Sequence, residues 1–104
     1  MIRISVLYPN EAGKKFDHAY YKDKHMPLVA QRLKPFGLIR YEVDKGVAGG
    51  TPGAPAPFVG ACHIYFNALD DFQKGMGQHG KELMADIANY TNIPAQIQIS
   101  EIVS

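Results

Sequence analysis

The stretch FDHAYYKDKHMPL, residues 16–28, gathers side chains suited to moving a proton. At about 100° per residue, Asp17, Tyr21 and His25 stand at i, i+4 and i+8, within an arc of roughly 80° on one helix face. An inward-facing stripe is expected to be apolar, yet these three hold positions where leucine or isoleucine would be ordinary. His25 can change charge near neutral pH and so act as acid or base. The Tyr21 hydroxyl could donate to a substrate oxygen, and Asp17 could orient a ring or a tyrosine. The alternative is a solvated helix whose polar side chains face water.

Pro27 bears on the same residues. It has no N–H, so the carbonyl of Asp23 loses its intrahelical partner. Met26, just before it, is expected to leave the α region. The helix must therefore kink or restart near His25. If it ends there, the helix dipole favours the imidazolium; if the site is dry, desolvation favours the neutral ring. Both alternatives stay open at the level of sequence.

The elements that must position these groups can be read from periodicity. Ile2, Ile4, Val6 and Tyr8 alternate with Arg3, Ser5 and Leu7, which predicts a strand stopped by Pro9 and Asn10. A helix is expected from about residue 14 or 16 to 34, ended by KPFG. LIRYEVDKG alternates into a second strand, with Ile39, Tyr41 and Val43 on one side. FVGACHIYF predicts a third, more buried strand. Between the two lies GVAGGTPGAPAP, a long hairpin loop that is either a lid or binding loop or a surface insertion. Asn67 is expected to cap a second helix, with Asp70 at the reciprocal third position. Gly75, Gly77 and Gly80 each weaken that helix by about 1 kcal/mol relative to alanine, which predicts a break before KELMADIANY. AQIQISEIV predicts a fourth strand.

The order β-α-β-β-α-β in one domain, residues 1–104, predicts an α+β, ferredoxin-like antiparallel sheet with both helices on one face. Leu7 and Ile102 add apolar side chains beyond one clean face, so the uncovered side is expected to pair with a second copy as a homodimer.

The chain of 104 residues is 46% hydrophobic and 20% charged, the balance of a globular domain. A net charge of +1 without a run of one sign gives no footprint of a nucleic-acid partner. No stretch approaches the ~20 apolar residues that span a bilayer, so no membrane partner is expected. MIRISVLYP reads as a strand and is too short for a signal peptide, which makes a cytoplasmic location the default. The single cysteine, Cys62, is expected as a buried, inert thiol. No H-x-x-x-H or C-x-x-C is present, so no metal site is expected.

Three further residues are candidate ligand contacts. His63 shares a strand face with Val59, Ala61 and Tyr65, and lines either a cavity or a dimer interface. Tyr8 and Tyr90 could provide aromatic linings, or sit at the core edge with wet hydroxyls.

FDHAYYKDKHMPL after an N-terminal YP strand, followed by GL and YEV, resembles the EthD family, named from ethyl tert-butyl ether degradation. MADIANYTN also resembles the end of the family's second helix. The resemblance covers essentially the whole chain and implies a dimeric α+β barrel, with His25 projecting into a cavity between helices and sheet. It also implies kinship with lactone isomerases, polyketide cyclases and cofactor-independent monooxygenases. Family members are often labelled reductases, but no G-x-G-x-x-G follows a strand here, so no nicotinamide or flavin cofactor is expected.

The expectation is a small dimeric protein with one apolar pocket per subunit. His25 would be acid or base, Tyr21 its hydrogen-bonding companion and Asp17 the orienting group. The ligand would be a small, partly aromatic or lactone-like metabolite. A non-catalytic binding module and a purely structural domain with a filled pocket are the rivals.

Overall fold

The computed structural model describes residues 1–104. Four strands form one antiparallel sheet: β1 (Ile2–Pro9), β2 (Arg40–Lys45), β3 (Phe58–Phe66) and β4 (Gln96–Glu101), in the spatial order β2-β3-β1-β4. β1 lies at the centre and pairs with β3 (Ile4 opposite Ile64) and with β4 (Ile4 opposite Ile99). The alternation read from the sequence sets the faces: Ile4, Tyr8, Cys62, Ile64 and Phe66 point to the helices and are buried. Both helices cover this inner face, which is the split-βαβ arrangement predicted.

The first helix is not uniform. It opens with one α turn (His18–Tyr20), widens into a π turn (Tyr21–His25) and resumes as α over Met26–Leu33, before a 3-10 turn at Lys34–Phe36. The Met26 N–H donates to the Tyr21 carbonyl, five residues back. The helix passes the proline by widening, so Met26 stays in the α region (φ −67°, ψ −36°), contrary to expectation. Pro27 falls in the first turn of the resumed α segment, where a missing N–H costs little. Gly37 closes the element in a left-handed conformation (φ 101°).

The second helix runs unbroken over Leu69–Asp86, so its glycines do not divide it. A Cβ at Gly75 would come within 2.7 Å of Leu33 Cδ2; the glycine lets the two helices approach, and their packing offsets its poor propensity. Asn67 does not cap this helix. The cap position is Ala68, with extended backbone and no side-chain bond, and Asp70 and Asp71 in the first turn face the positive end of the dipole.

The loop between β2 and β3 connects neighbouring antiparallel strands as a long hairpin. It holds internal bonds (Gly49 N–H to Ala54 O, 2.9 Å) and is tied to the end of β1, where Asn10 donates to Ala56 O at 3.0 Å.

The sheet's outer face carries polar chains beside the apolar Leu7, Val59 and Ala61. Asp44, His63 and Ser5 form one, and Arg40, Glu42 and Tyr65 another. No helix of the protein is long and apolar enough to cross a membrane.

Candidate functional site

Two short ties bring the first helix against the end of the second. Phe16 bridges to Thr91, and the Asp17 N–H donates to the Tyr90 carbonyl at 2.8 Å. The Phe16 ring lies over Gly60, where a Cβ would come within 2.8 Å of it, and 5.0 Å from the Tyr8 ring. Only a glycine at position 60 leaves room for this ring on the sheet. Phe16 thereby fixes where the first helix starts, and with it where Tyr21 and His25 project.

His25 is 6% exposed and stacks on Tyr21, with ring centroids 5.6 Å apart and an interplanar angle of 13°. Tyr90 packs against both rings, with its centroid 4.6 Å from that of His25 and 4.9 Å from that of Tyr21. The His25 Nδ1 lies 2.9 Å from Asp86 Oδ2. Asp86 Oδ1 accepts from the Tyr20 hydroxyl at 2.7 Å and from Asn89 Nδ2 at 2.9 Å. Partial burial pushes the Asp86 carboxyl up, but the hydrogen bonds from Tyr20, His25 and Asn89 outweigh it and hold it below the ordinary carboxylate range. The carboxylate is therefore ionised and can only accept, so the ring proton sits on Nδ1.

Burial lowers the His25 pKa below 6.5, against the opposing pull of Asp86. The ring is neutral at pH 7, with its Nε2 lone pair uncommitted. Desolvation thus decides the question that the sequence left open. The helix dipole plays no part, because the helix does not end at His25.

His25 and Tyr21 line a cavity of about 360 Å³ between the helices and the sheet. Tyr8 and Cys62 line it from the sheet, and Tyr21, Val29, Leu33, Phe72 and Leu83 from the helices. Two lining residues, Met84 (66% exposed) and Ile97 (65%), place the mouth between the second helix and β4. No lysine, arginine, aspartate or glutamate lines it, and its side-chain polar atoms come from Tyr8, Tyr21, His25 and Cys62.

The sequence-derived site residues divide. His25 and Tyr21 come together on the cavity wall as expected. Tyr8 also lines it, and its hydroxyl is 2.6 Å from that of Tyr90, so neither hydroxyl is wet. Tyr90 stands behind His25 as a packing partner.

Asp17 does not orient His25. It caps the first helix, its Oδ1 accepting from the Tyr20 N–H at 3.1 Å. The cap geometry (φ −90°, ψ 95°) takes it out of the helical stripe. Asp86 holds that role instead, with Tyr20 and Asn89 behind it. All three were missed, because Asp86 is 61 residues from His25 in the chain. The adjacency of Tyr20 to Tyr21 was the only local hint.

His63 is absent from this cavity. Strand alternation puts it on the outer face, bonded to Ser5 Oγ at 2.7 Å and Asp44 Oδ2 at 2.9 Å, beside an open groove of about 500 Å³ under the β2–β3 loop. No group of three or more His, Cys, Asp or Glu side chains is arranged to hold a metal ion.

Fold and site together define a ferredoxin-like α+β domain with an inner-face cavity headed by a histidine–aspartate pair. The family model described as EthD domain matches residues 11–94, and the chain belongs to the EthD family. It is similar to an EthD-like protein of Ralstonia eutropha JMP134, with 46% identity and a TM-score of 0.94 over 99% of this chain and 92% of that one. An EthD family protein of Bacillus halodurans C-125 superposes with a TM-score of 0.75 at 22% identity, over 99% of both chains. A cofactor-independent oxygenase of Streptomyces nogalater shares the fold at 8% identity and a TM-score of 0.55, over 99% of this chain and 92% of that one. No curated protein sequence matches this chain.

Proposed function

We propose that this protein binds a small, largely apolar organic metabolite in the inner-face cavity, where His25 removes a proton from it. One observation carries the reading. The ring proton of a buried, neutral histidine is fixed on Nδ1 by Asp86, and this leaves Nε2 as an unpartnered base on the wall of a cavity. The cavity volume lies near the lower end of the ~300–1,000 Å³ range of small-molecule sites, which suits a one- or two-ring ligand. Tyr20, Asn89 and Asp86 are positioning residues. The step after proton removal is set by the substrate: return of the proton as in an isomerase, ring closure as in a cyclase, or reaction with dioxygen as in the cofactor-free oxygenases that share the fold.

The protein would act as a homodimer in the cytoplasm. No helix covers the sheet's outer face, and a fold neighbour is described as a dimeric ferredoxin-like protein. Sedimentation gives the assembly directly, and a monomer at micromolar concentration would refute it.

His25→Gln separates the catalyst from the rival, a non-catalytic binding module. A catalyst should lose ~10²-fold or more in kcat while still binding its ligand. A change confined to affinity would leave only the binding module.

A further inference from the structure

We propose that the cavity selects an uncharged ketone with an acidic C–H beside its carbonyl, and that the Tyr21 hydroxyl binds the ketone oxygen while His25 takes the proton. The inference rests on the reading of His25 as a base and adds the class of substrate and the group that recognises it.

Two independent observations carry it. The first is an orphan donor. Tyr21 is 1% exposed and lines the cavity, yet its hydroxyl has no hydrogen-bond partner. Cys62 and Tyr8 adjoin it, but neither forms a bond of good geometry. A buried hydroxyl without a partner is costly, and native proteins satisfy nearly all such groups. Neither neighbour satisfies it, so a full bond needs an acceptor that arrives with the ligand.

The second observation is charge. The cavity wall has no cation, and the ionised Asp86 stands behind His25. A carboxylate or phosphate would be stripped of water there with nothing to pair it, beside a negative charge. An uncharged ligand has no such cost, and the apolar wall takes up its carbon skeleton.

The chemistry balances without an outside reagent. The C–H bond breaks and its proton goes to His25 Nε2. The bond's electron pair forms a C=C bond, and the carbonyl π pair moves to oxygen. The enolate oxygen accepts from the Tyr21 hydroxyl, where charge develops in the transition state. The new imidazolium lies between the enolate and Asp86. The total charge of the buried groups is the same before and after the transfer. The proton then returns to the same carbon, or to the far end of a conjugated system, which shifts a double bond. Burial pushes the Tyr21 hydroxyl far above the ordinary phenol range, so it donates without ionising.

The test uses 2-tetralone as the enolisable probe, 2-naphthol as its enol mimic and 2-naphthoate as the anionic control. Exchange of the ketone's C–H protons is followed by NMR in D2O, and binding by calorimetry. The wild-type protein should speed exchange over buffer and bind 2-naphthol at least about tenfold more tightly than 2-naphthoate. Tyr21→Phe should weaken 2-naphthol binding about fivefold, the cost of one hydrogen bond. It should also slow exchange tenfold or more, with an unchanged or higher melting temperature because the deleted hydroxyl has no partner in the empty protein.

Equal affinity for the naphthoate overturns the inference, and so does a Tyr21→Phe variant that binds and exchanges like the wild type. A Tyr21→Phe variant that melts several degrees lower also overturns it, since the hydroxyl would then be a structural partner. In each of these cases, loss of exchange in His25→Gln would leave His25 standing as the base. Absence of both binding and exchange in the wild type would overturn the two readings together.

Discussion

The two faces of the sheet each hold a histidine bonded to an aspartate at 2.9 Å, and the two pairs do different things. On the outer face His63 has both ring nitrogens engaged, Nδ1 with Ser5 and Nε2 with Asp44, and Asp44 is half exposed. No lone pair is left for a ligand, so the pair ties β1, β2 and β3 together. On the inner face the same pairing uses only Nδ1. The aspartate is held by two further donors and the second nitrogen is left unpaired on a cavity wall. Burial and the number of committed nitrogens, more than the pairing itself, separate a candidate base from a structural histidine.

The comparison is most exposed at the aspartates. Tyr20 and Asn89 both donate to Asp86 Oδ1, so in Asp86→Asn that atom stays an oxygen and the new NH2 group faces His25. It would donate to Nδ1, shift the ring proton to Nε2 and remove the base. Turnover should fall ~10²-fold or more with ligand affinity little changed. Near-wild-type turnover in this variant would dissolve the distinction drawn between the two pairs.

Next in size is the response to pH. The active form is neutral His25, whose pKa burial holds below 6.5, so the acid limb of kcat/KM should have its midpoint below 6.5. Stability follows with a definite sign. The unfolded chain takes up the His25 proton at higher pH than the folded protein, so stability should decline as pH falls below about 6.5. A second loss sets in below about 3.8, where Asp86, depressed in the folded state, is protonated first in the unfolded chain. The stabilities of wild type and His25→Gln, from denaturant titrations, should therefore diverge as pH falls below about 6.5. Parallel curves would mean that His25 is not buried as described.

The smallest effects belong to the outer face. His63→Gln and Asp44→Asn should leave turnover within about twofold and cost no more than ~1 kcal/mol, the range of a partly exposed pair. A loss of activity in either that matches His25→Gln would move the site to the other side of the sheet.

Much of the fold was legible because it rests on local periodicity. The alternation of Ile2, Ile4, Val6 and Tyr8 assigned β1 and its inner face, and the apolar run FVGACHIYF marked β3 as a buried strand without settling its faces. The expectations that failed were those where tertiary packing overrides local preference. Gly75 belongs to an unbroken helix because Leu33 needs the space, and Met26 stays helical because the π turn takes up the proline. The site was half legible. His25 and Tyr21 were marked by polar residues on a helical stripe that should be greasy. Asp17 was misassigned, because four-residue spacing says nothing about whether a residue lies inside the helix or caps it.

The order of hydrophobic alternation, carried by the chain itself, determined the four strands, the two helices and the candidacy of His25. Only the tertiary structure decided which carboxylate orients that ring, on which nitrogen its proton sits and which face His63 occupies. These depend on groups brought together from distant positions and on the local loss of water. A one-dimensional pattern encodes neither until the sheet and helices close around the cavity.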